Sequence, residues 1–288
     1  MNFAAMPSIN AVTIALCRAI LCDGILVDPR KMPTRELLGV GFEIVDPRKR
    51  LTTIPVRRWS SALAIGELMW NVRADTSVEP LAFYSARWRD FADEEGNIRG
   101  SCYGARIFSP VLEGLSQWDM VKKLLVEDKS SRRAVLTFLT MRDVSADTND
   151  LSCTNTLQFI VRDDKLHAFV NMRSNDVIWG VPYDVFLFTS LQEMMAVELG
   201  LDLGVYRHYA ASMHVYDRHF KLASDIAALD DRYDARGEMP RIESIEEIER
   251  MKLVEVELRL GGSVAPSMSP YEHFCIEALS RHHVRQVA

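Results

Sequence analysis

Two β-rich runs separated by a short charged break constrain this chain more than any other feature. Residues 153–161 carry Thr, Leu, Phe, Ile and Val, and Leu166–Val170 resumes the pattern after Arg162-Asp163-Asp164-Lys165. Branched and aromatic residues on both sides of such a break form an antiparallel hairpin. The returning strand runs on through Asn171-Met172-Arg173-Ser174-Asn175-Asp176, which brings it back beside Cys153. A two-residue turn at Asp163-Asp164 pairs Cys153 with Ser174, whereas a three-residue turn centred on Asp163 pairs it with Arg173. Both registers stay open. In either one a thiol and a guanidinium are neighbours, and a nearby cation favours the thiolate, the reactive form. Most intracellular cysteines are ordinary buried thiols, so Cys153 alone decides nothing.

Around this hairpin the periodicity places a helix over roughly residues 8–21 and strand-like segments near 36–45. Ser60 or Ser61 caps a helix running to about Val72, with Leu63, Glu67 and Trp70 on one stripe. Glu67 is then either a buried carboxyl with a raised pKa or a fixed partner, or a rim residue that reaches water. Residues 84–110 read as an aromatic loop carrying Trp88, Phe91, Tyr103 and Phe108. A helix at about 116–127 leads through Ser131-Arg132-Arg133 to a strand-like Ala134–Leu139. Two arginines at such a junction fork onto a phosphate or form a solvated basic patch. An apolar helix over Val185–Leu199, closed by Gly200, starts with Asp184 in a capping position. Ser212–Tyr216 reads as a strand ending in His214 and Tyr216; a charged helix near 242–253, a strand near 253–259 and a Gly/Ser/Pro break at 261–269 complete the chain.

Composition enters mainly by exclusion. A net charge of -6 argues against a nucleic-acid polymer as partner, although a local arginine cluster suffices for a small phosphorylated ligand. The five cysteines form no C-x-x-C pair and no zinc spacing, so no metal site is expected. Their odd number and the lack of a signal-peptide pattern point to a reducing, cytoplasmic setting; Ala11–Leu21 is too short to span a bilayer. Without a linker before about residue 260, the expected organisation is one catalytic domain over 1–260 and a C-terminal extension over 261–288.

In order, these pieces resemble the thymidylate synthase superfamily over roughly residues 28–220: Glu67-Leu68-x-Trp70, Tyr103-Gly104, Ser131-Arg132-Arg133, the cysteine hairpin, Arg173-Ser174-x-Asp176-Val177, Gly180-x-Pro182 and His214-x-Tyr216. Ser152-Cys153-Thr154-Asn155-Thr156 replaces the synthases' Pro-Cys-His, and Arg173-Ser174-Asn175-Asp176 replaces their Arg-Ser-Cys-Asp; both departures look like the deoxycytidylate hydroxymethylase branch. The resemblance implies an α+β, thymidylate synthase-like fold, with a mixed sheet packed on a central apolar helix and flanking helices, and a homodimer formed through the sheet.

It also implies a chemistry. Cys153 adds to C6 of a pyrimidine nucleoside monophosphate, so that C5 captures the one-carbon unit of 5,10-methylenetetrahydrofolate, the co-substrate. Arg173, Ser174, Arg30 and a dimer partner's Arg132 and Arg133 hold the phosphate; His214 and Tyr216 hold the sugar. Asp184 reads the base, with Gln158 and Asn175 nearby, and Glu67 manages protons through water. Trp88, Tyr103, Asp176, Trp179, Gly180 and Tyr183 fall at folate positions, Trp179 standing where the synthases often have leucine. Asp184 stands where the synthases use an asparagine for uracil, and an aspartate suits cytosine, whose 4-amino group donates and whose N3 takes a shared proton. The expected product is 5-hydroxymethyl-dCMP or -CMP; the alternatives are a C5 methylase, thymidylate synthase on dUMP included, and a nucleotide-binding protein that has lost catalysis.

Overall fold

The structure is a computed structural model that describes residues 4–145, 148, 150–230, 237–267 and 269–287, with side chains to residue 283. Met268 in the 261–269 break and the terminal Ala288 lie outside the described residues. The chain forms two compact units: Met1–Trp59, Cys153–Gln192 and Asp202–Met239 make the first, and Ser60–Ser152, Glu193–Leu201 and Pro240–Ala288 make the second.

The first unit is built on a mixed sheet of β1 (Ala4–Met6), β2 (Ile25–Val27), β3 (Thr34–Ile44), β4 (Thr154–Arg162), β5 (Lys165–Asp176) and β6 (Asp202–Tyr216). Its order is β1-β3-β6-β5-β4, with β2 paired to β3. The β3–β6 and β4–β5 pairs are antiparallel, while β1–β3 and β5–β6 are parallel. Alternation along the strands sends Leu157, Phe159 and Val161 of β4 and Leu166, Ala168, Val170 and Met172 of β5 into the core. Gln158, Phe169 and Asn171 fall on the other face, half-buried.

The β4–β5 turn resolves the register. Arg162 pairs with Lys165, and Asp163 and Asp164 have φ of 51° and 53°, the two positive values of a two-residue primed turn. Taken alone, that turn would set Cys153 opposite Ser174. The ladder then slips between Thr156, paired with Asn171, and Thr154, paired with Met172. One extra residue, Asn155, is accommodated as a bulge, its amide donating to Asn171 Oδ1 at 2.7 Å. The slip moves Cys153 from Ser174 to Arg173, whose N–H donates to the Cys153 carbonyl at 2.9 Å.

The helix Ile9–Asp23 is capped by Ser8, whose side chain accepts from Ala11 N. The helix Gly180–Leu199 starts five residues before the expected Val185, because Pro182 is tolerated in a first turn, where no intrahelical N–H is needed. Asp184 is therefore one turn inside the helix and is not its cap. The helix is buried through Val185–Ala196 and closed by Gly200, whose φ of +64° suits glycine. Its residues 180–192 belong to the first unit and 193–199 to the second.

In the second unit Ser60 caps Ser61–Val72, accepting from Leu63 N at 3.2 Å. Leu63 and Trp70 are buried and Glu67 between them is half-buried. Residues 84–110 are not all loop: Ala86–Phe91 forms a 3-10 turn and Tyr103–Phe108 a short helix. Ser116 and Asp119 close a capping box on Gln117–Glu127, and Val135–Thr137 is the strand expected there. The expected strand near 253–259 is instead the end of a helix, Ile245–Arg259. Val254-Glu255-Val256-Glu257-Leu258 alternates like a strand, but the buried stripe is Ile248, Met251 and Glu255 at helical spacing. Glu255 is fixed there by Arg73, Arg259 and the Tyr84 hydroxyl. A last helix, Pro270–Val287, follows. No helix among the described residues is long and apolar enough to cross a membrane.

Candidate active site

The bulge sets the first element of the site. Arg173 Nη2 lies 3.8 Å from Cys153 Sγ, and Cys153 is half-buried, not sealed in the core. A guanidinium this close stabilises the thiolate. The first unit supplies its own contrast in Cys17, fully buried on the helix Ile9–Asp23, where burial and the nearby Asp176 charge push the thiol up to about 12. Tyr216, at the end of β6, feels Asp176, Arg30, Arg218 and Cys153 together; burial raises its pKa. Arg30 itself is exposed, in a left-handed conformation with φ of 52° that Lys31 repeats at 57°. The Arg218 guanidinium stands 4.4 Å from the Tyr216 ring centre.

Asp176 pairs with His214 in the β5–β6 ladder, and the His214 ring meets Tyr216 edge-on at 5.0 Å. Burial lowers the His214 pKa, so the ring is neutral at pH 7. Ser174 is half-buried opposite Ser212, whose hydroxyl donates to Glu36. Asp176 accepts from Ile178 N at 2.8 Å, and burial raises its carboxyl to about 6.

Asp184 is half-buried one turn into its helix, and burial, with the Asp176 charge, raises it to about 7. It interacts with the side chain of Asn175, which is buried. The backbone at Gly180 makes this possible. A Cβ there would fall 2.1 Å from Asn175 Oδ1 and 3.2 Å from Asp184 Oδ2, so only glycine leaves room.

The structure thus sets Cys153 beside Arg173 and His214 against Tyr216, with Asp176, Arg30 and Cys153 within electrostatic reach of Tyr216, and it gathers Asn175, Asp184 and Gly180 in a second set. Gln158 belongs to a different group: with Thr156, Phe169, Asn171, Arg207 and Tyr209 it lines a cavity of about 250 Å³. Trp179 is 36% exposed. Arg57 sits 4.5 Å from its ring centre and 5.7 Å from that of Tyr183.

The remaining candidates belong to the second unit. Trp88 packs on the cluster of Trp70, Val78, Leu81, Ile98 and Cys102. Tyr103 is buried edge-on to Phe138 at 5.1 Å. Arg132 and Arg133 are exposed at the junction before Val135–Thr137. Among the described residues no group of three His, Cys, Asp or Glu side chains could hold a metal.

Three residues escaped the sequence analysis. Arg57 is 3% exposed, donating from Nε to the Ile178 carbonyl at 2.5 Å. Tyr206 and His208 are fully buried on β6, joined Oη to Nδ1 at 2.9 Å. Strand parity carried a signal for His208, because it shares the core-facing phase of Ala210. For Arg57, adjacent to Arg58 and outside any periodic segment, the sequence carried none.

Comparison with known proteins gives the family of the chain. The thymidylate synthase family model matches residues 14–259. The deoxycytidylate 5-hydroxymethyltransferase of Enterobacteria phage T4 is 29% identical over 234 residues, which cover 75% of this chain and 89% of the relative. The deoxyuridylate hydroxymethyltransferase of Bacillus phage SP01 is 27% identical over 246 residues, covering 80% of this chain but only 63% of the longer phage protein. With a family model matched along most of its length, the chain belongs to the thymidylate synthase family.

Proposed function

We propose that this protein is a pyrimidine nucleotide 5-hydroxymethyltransferase acting on dCMP or CMP with 5,10-methylenetetrahydrofolate as co-substrate. The observation that carries the reading is the Arg173 guanidinium 3.8 Å from the Cys153 sulfur, set there by the bulge. A thiolate stabilised in this way adds to C6 of the base; the S–C6 bond forms as the ring's double-bond electrons move toward C5 and N3. Asp184, with its carboxyl raised to about 7, accepts from the 4-amino group of cytosine and gives its proton to N3 as that charge develops. Arg173 and Ser174, with Arg30 and a dimer partner's Arg132 and Arg133, hold the phosphate, and His214 and Tyr216 the sugar. Glu67 moves protons through water.

The residues present suit a folate. Asp176 offers a carboxyl to the amino-bearing edge of a pterin, Trp179 offers a partly open ring for stacking, and Arg57 Nη2 has no hydrogen-bond partner among the described residues. Asp176, Trp179, Gly180 and Tyr183 would hold it, with Trp88 and Tyr103 added by the resemblance. When bound, methylenetetrahydrofolate supplies a one-carbon unit at the oxidation level of formaldehyde to C5.

The test is a substrate panel of dCMP, CMP, dUMP and UMP with folate and formaldehyde, read by mass. The expected result is a cytidylate heavier by one hydroxymethyl group with no rise in dihydrofolate absorbance. The SP01 relative, named for deoxyuridylate, makes dUMP the competitor to watch. A methylated product with dihydrofolate would replace the hydroxymethyl reading with a methylase, and binding of CMP without turnover would replace both.

A further inference from the structure

Two buried polar side chains of the second unit take no part in the chemistry proposed above, yet both bind the backbone around residues that do. Asp150 is 4% exposed and directs its whole carboxylate at one turn. Its Oδ2 accepts from Gly100 N at 2.6 Å and Ser101 N at 2.9 Å, and its Oδ1 from the Ser101 hydroxyl at 2.6 Å. Asn71 is fully buried in the last turn of Ser61–Val72. Its Oδ1 accepts from Gly104 N at 2.7 Å, and its Nδ2 donates to the Glu67 carbonyl at 2.9 Å. A carboxylate and an amide are costly to bury, and asparagine is a weak helix former, so neither position is favoured by propensity or by burial. What each supplies is a fixed set of backbone partners.

The two sets join. Tyr103 N donates to the Ser101 carbonyl at 2.9 Å, so the turn held by Asp150 leads straight into Tyr103 and Gly104, which Asn71 holds. A Cβ at Gly100 would collide with the Asp150 carbonyl oxygen, and one at Gly104 with that of Asn71; glycine permits both close approaches. A path of hydrogen bonds and single backbone steps therefore runs from Asp150 through Ser101, Tyr103 and Gly104 to Asn71 and the Glu67 carbonyl. Every member lies within Ser60–Ser152 of the second unit.

We propose that Asp150 and Asn71 are positioning residues, the two ends of a clamp that holds Glu67 and Tyr103 in one frame. The clamp acts on the backbone that carries the proton-handling carboxyl and the folate-side phenol, and misplacing such groups by about 1 Å costs up to about 100-fold in rate. The proposal rests on the roles given above to Glu67 and Tyr103, so its test includes a readout made without substrate.

Asp150→Asn preserves the clamp: its amide oxygen takes both N–H groups, and its NH2 donates to the Ser101 hydroxyl oxygen. Asp150→Ala removes all three bonds, and Asn71→Leu removes the other two. Ser101→Ala deletes a single bond at a half-buried residue and serves where either of those fails to fold. Amide hydrogen exchange is followed at Gly104 in the free protein, and kcat and KM are measured per folded molecule, well below the melting temperature. Exchange at Gly104 is expected to rise about tenfold in Asp150→Ala and Asn71→Leu, less in Ser101→Ala, and to stay near wild type in Asp150→Asn. In the first two, kcat should fall by about 10- to 100-fold with the nucleotide KM within about twofold, since Arg173 and Ser174 belong to the first unit. Asp150→Asn should restore kcat to within about threefold. A role in packing alone would lower the melting temperature and leave kcat per folded molecule unchanged, and that result overturns the proposal. So does wild-type exchange at Gly104 in all the variants that lose bonds, whatever the enzyme turns over. Faster exchange in a protein inactive on all four nucleotides keeps the clamp and removes the proposed function.

Discussion

Asp184 in the first unit and Asp143 in the second are the same side chain in opposite electrostatic settings. Asp143 sits in a capping box with Thr140 and takes two hydrogen bonds from Arg106, at 2.9 and 2.7 Å. The Arg106 guanidinium, with Thr140, lowers its carboxyl to about 2. Among the described residues no cation pairs with Asp184, and burial, with the Asp176 charge, lifts it to about 7. A paired carboxylate stays ionised well into acid, whereas a buried one without a counter-charge exchanges its proton near neutral pH. The thiols divide in the same way. Cys102 of the second unit also has a guanidinium nearby, that of Arg106, but it is buried and burial outweighs the cation and raises its pKa, while Cys153 is half-open beside Arg173.

The sharpest way to break this contrast is at sulfur. Cys153→Ala is expected to lower turnover by about a thousandfold or more, and Cys102→Ala to leave it within a few-fold. Equal losses in steady-state assays of the two would erase the distinction. Next in size is Asp184→Asn, expected to shift the dCMP to dUMP ratio of kcat/KM toward uracil by about 5- to 100-fold, the value of one mispaired buried group. Asp143→Asn should leave that ratio alone.

The stability of the two carboxyls should run oppositely with pH. Asp184 is raised, so the folded state binds the extra proton. Its contribution is complete below the ordinary carboxylate range near pH 4 and is lost as pH rises through about 7. Asp143 is lowered, so its contribution is present above about pH 4 and is lost as pH falls toward about 2. Melting curves across pH should therefore show Asp184→Asn gaining on the wild type between about pH 4 and about pH 7 and keeping that gain above it, and the Asp143→Asn difference vanishing in acid. The smallest effect is Asp143→Asn at neutral pH, a loss of about 1 kcal/mol in denaturant melts for a partly exposed pair.

Much of the fold was legible because its signals are local. Alternation gave the hairpin of the first unit, and the Ser60 cap with its apolar stripe gave Ser61–Val72 of the second. The register at Cys153 was not legible, because it depends on two features at opposite ends of β4. The turn alone gives the wrong partner, and the bulge at Asn155 corrects it. Asp184 was noticed as a cap and turned out to lie inside its helix, since Pro182 looks like a terminator but fits a first turn. The helix end at 253–259 was misread because Val, Glu and Leu alternate there while burial follows the helical stripe of Glu255. Arg57, Tyr206 and His208 draw their significance from residues far away in sequence, which no local pattern records.

The β4–β5 hairpin works as a ruler with its zero at the Asp163-Asp164 turn and its reading at Cys153. Nine residues of β4, at about 3.3 Å each, carry that measurement over roughly 30 Å. Adding one residue at the turn would slide the whole strand by a step and turn every side chain to the opposite side of the sheet. Surface turns usually tolerate insertions well. This one should not: a change of length at its exposed tip would disarm a sulfur at the other end, and lineages carrying this hairpin should vary the letters of the turn but keep its count.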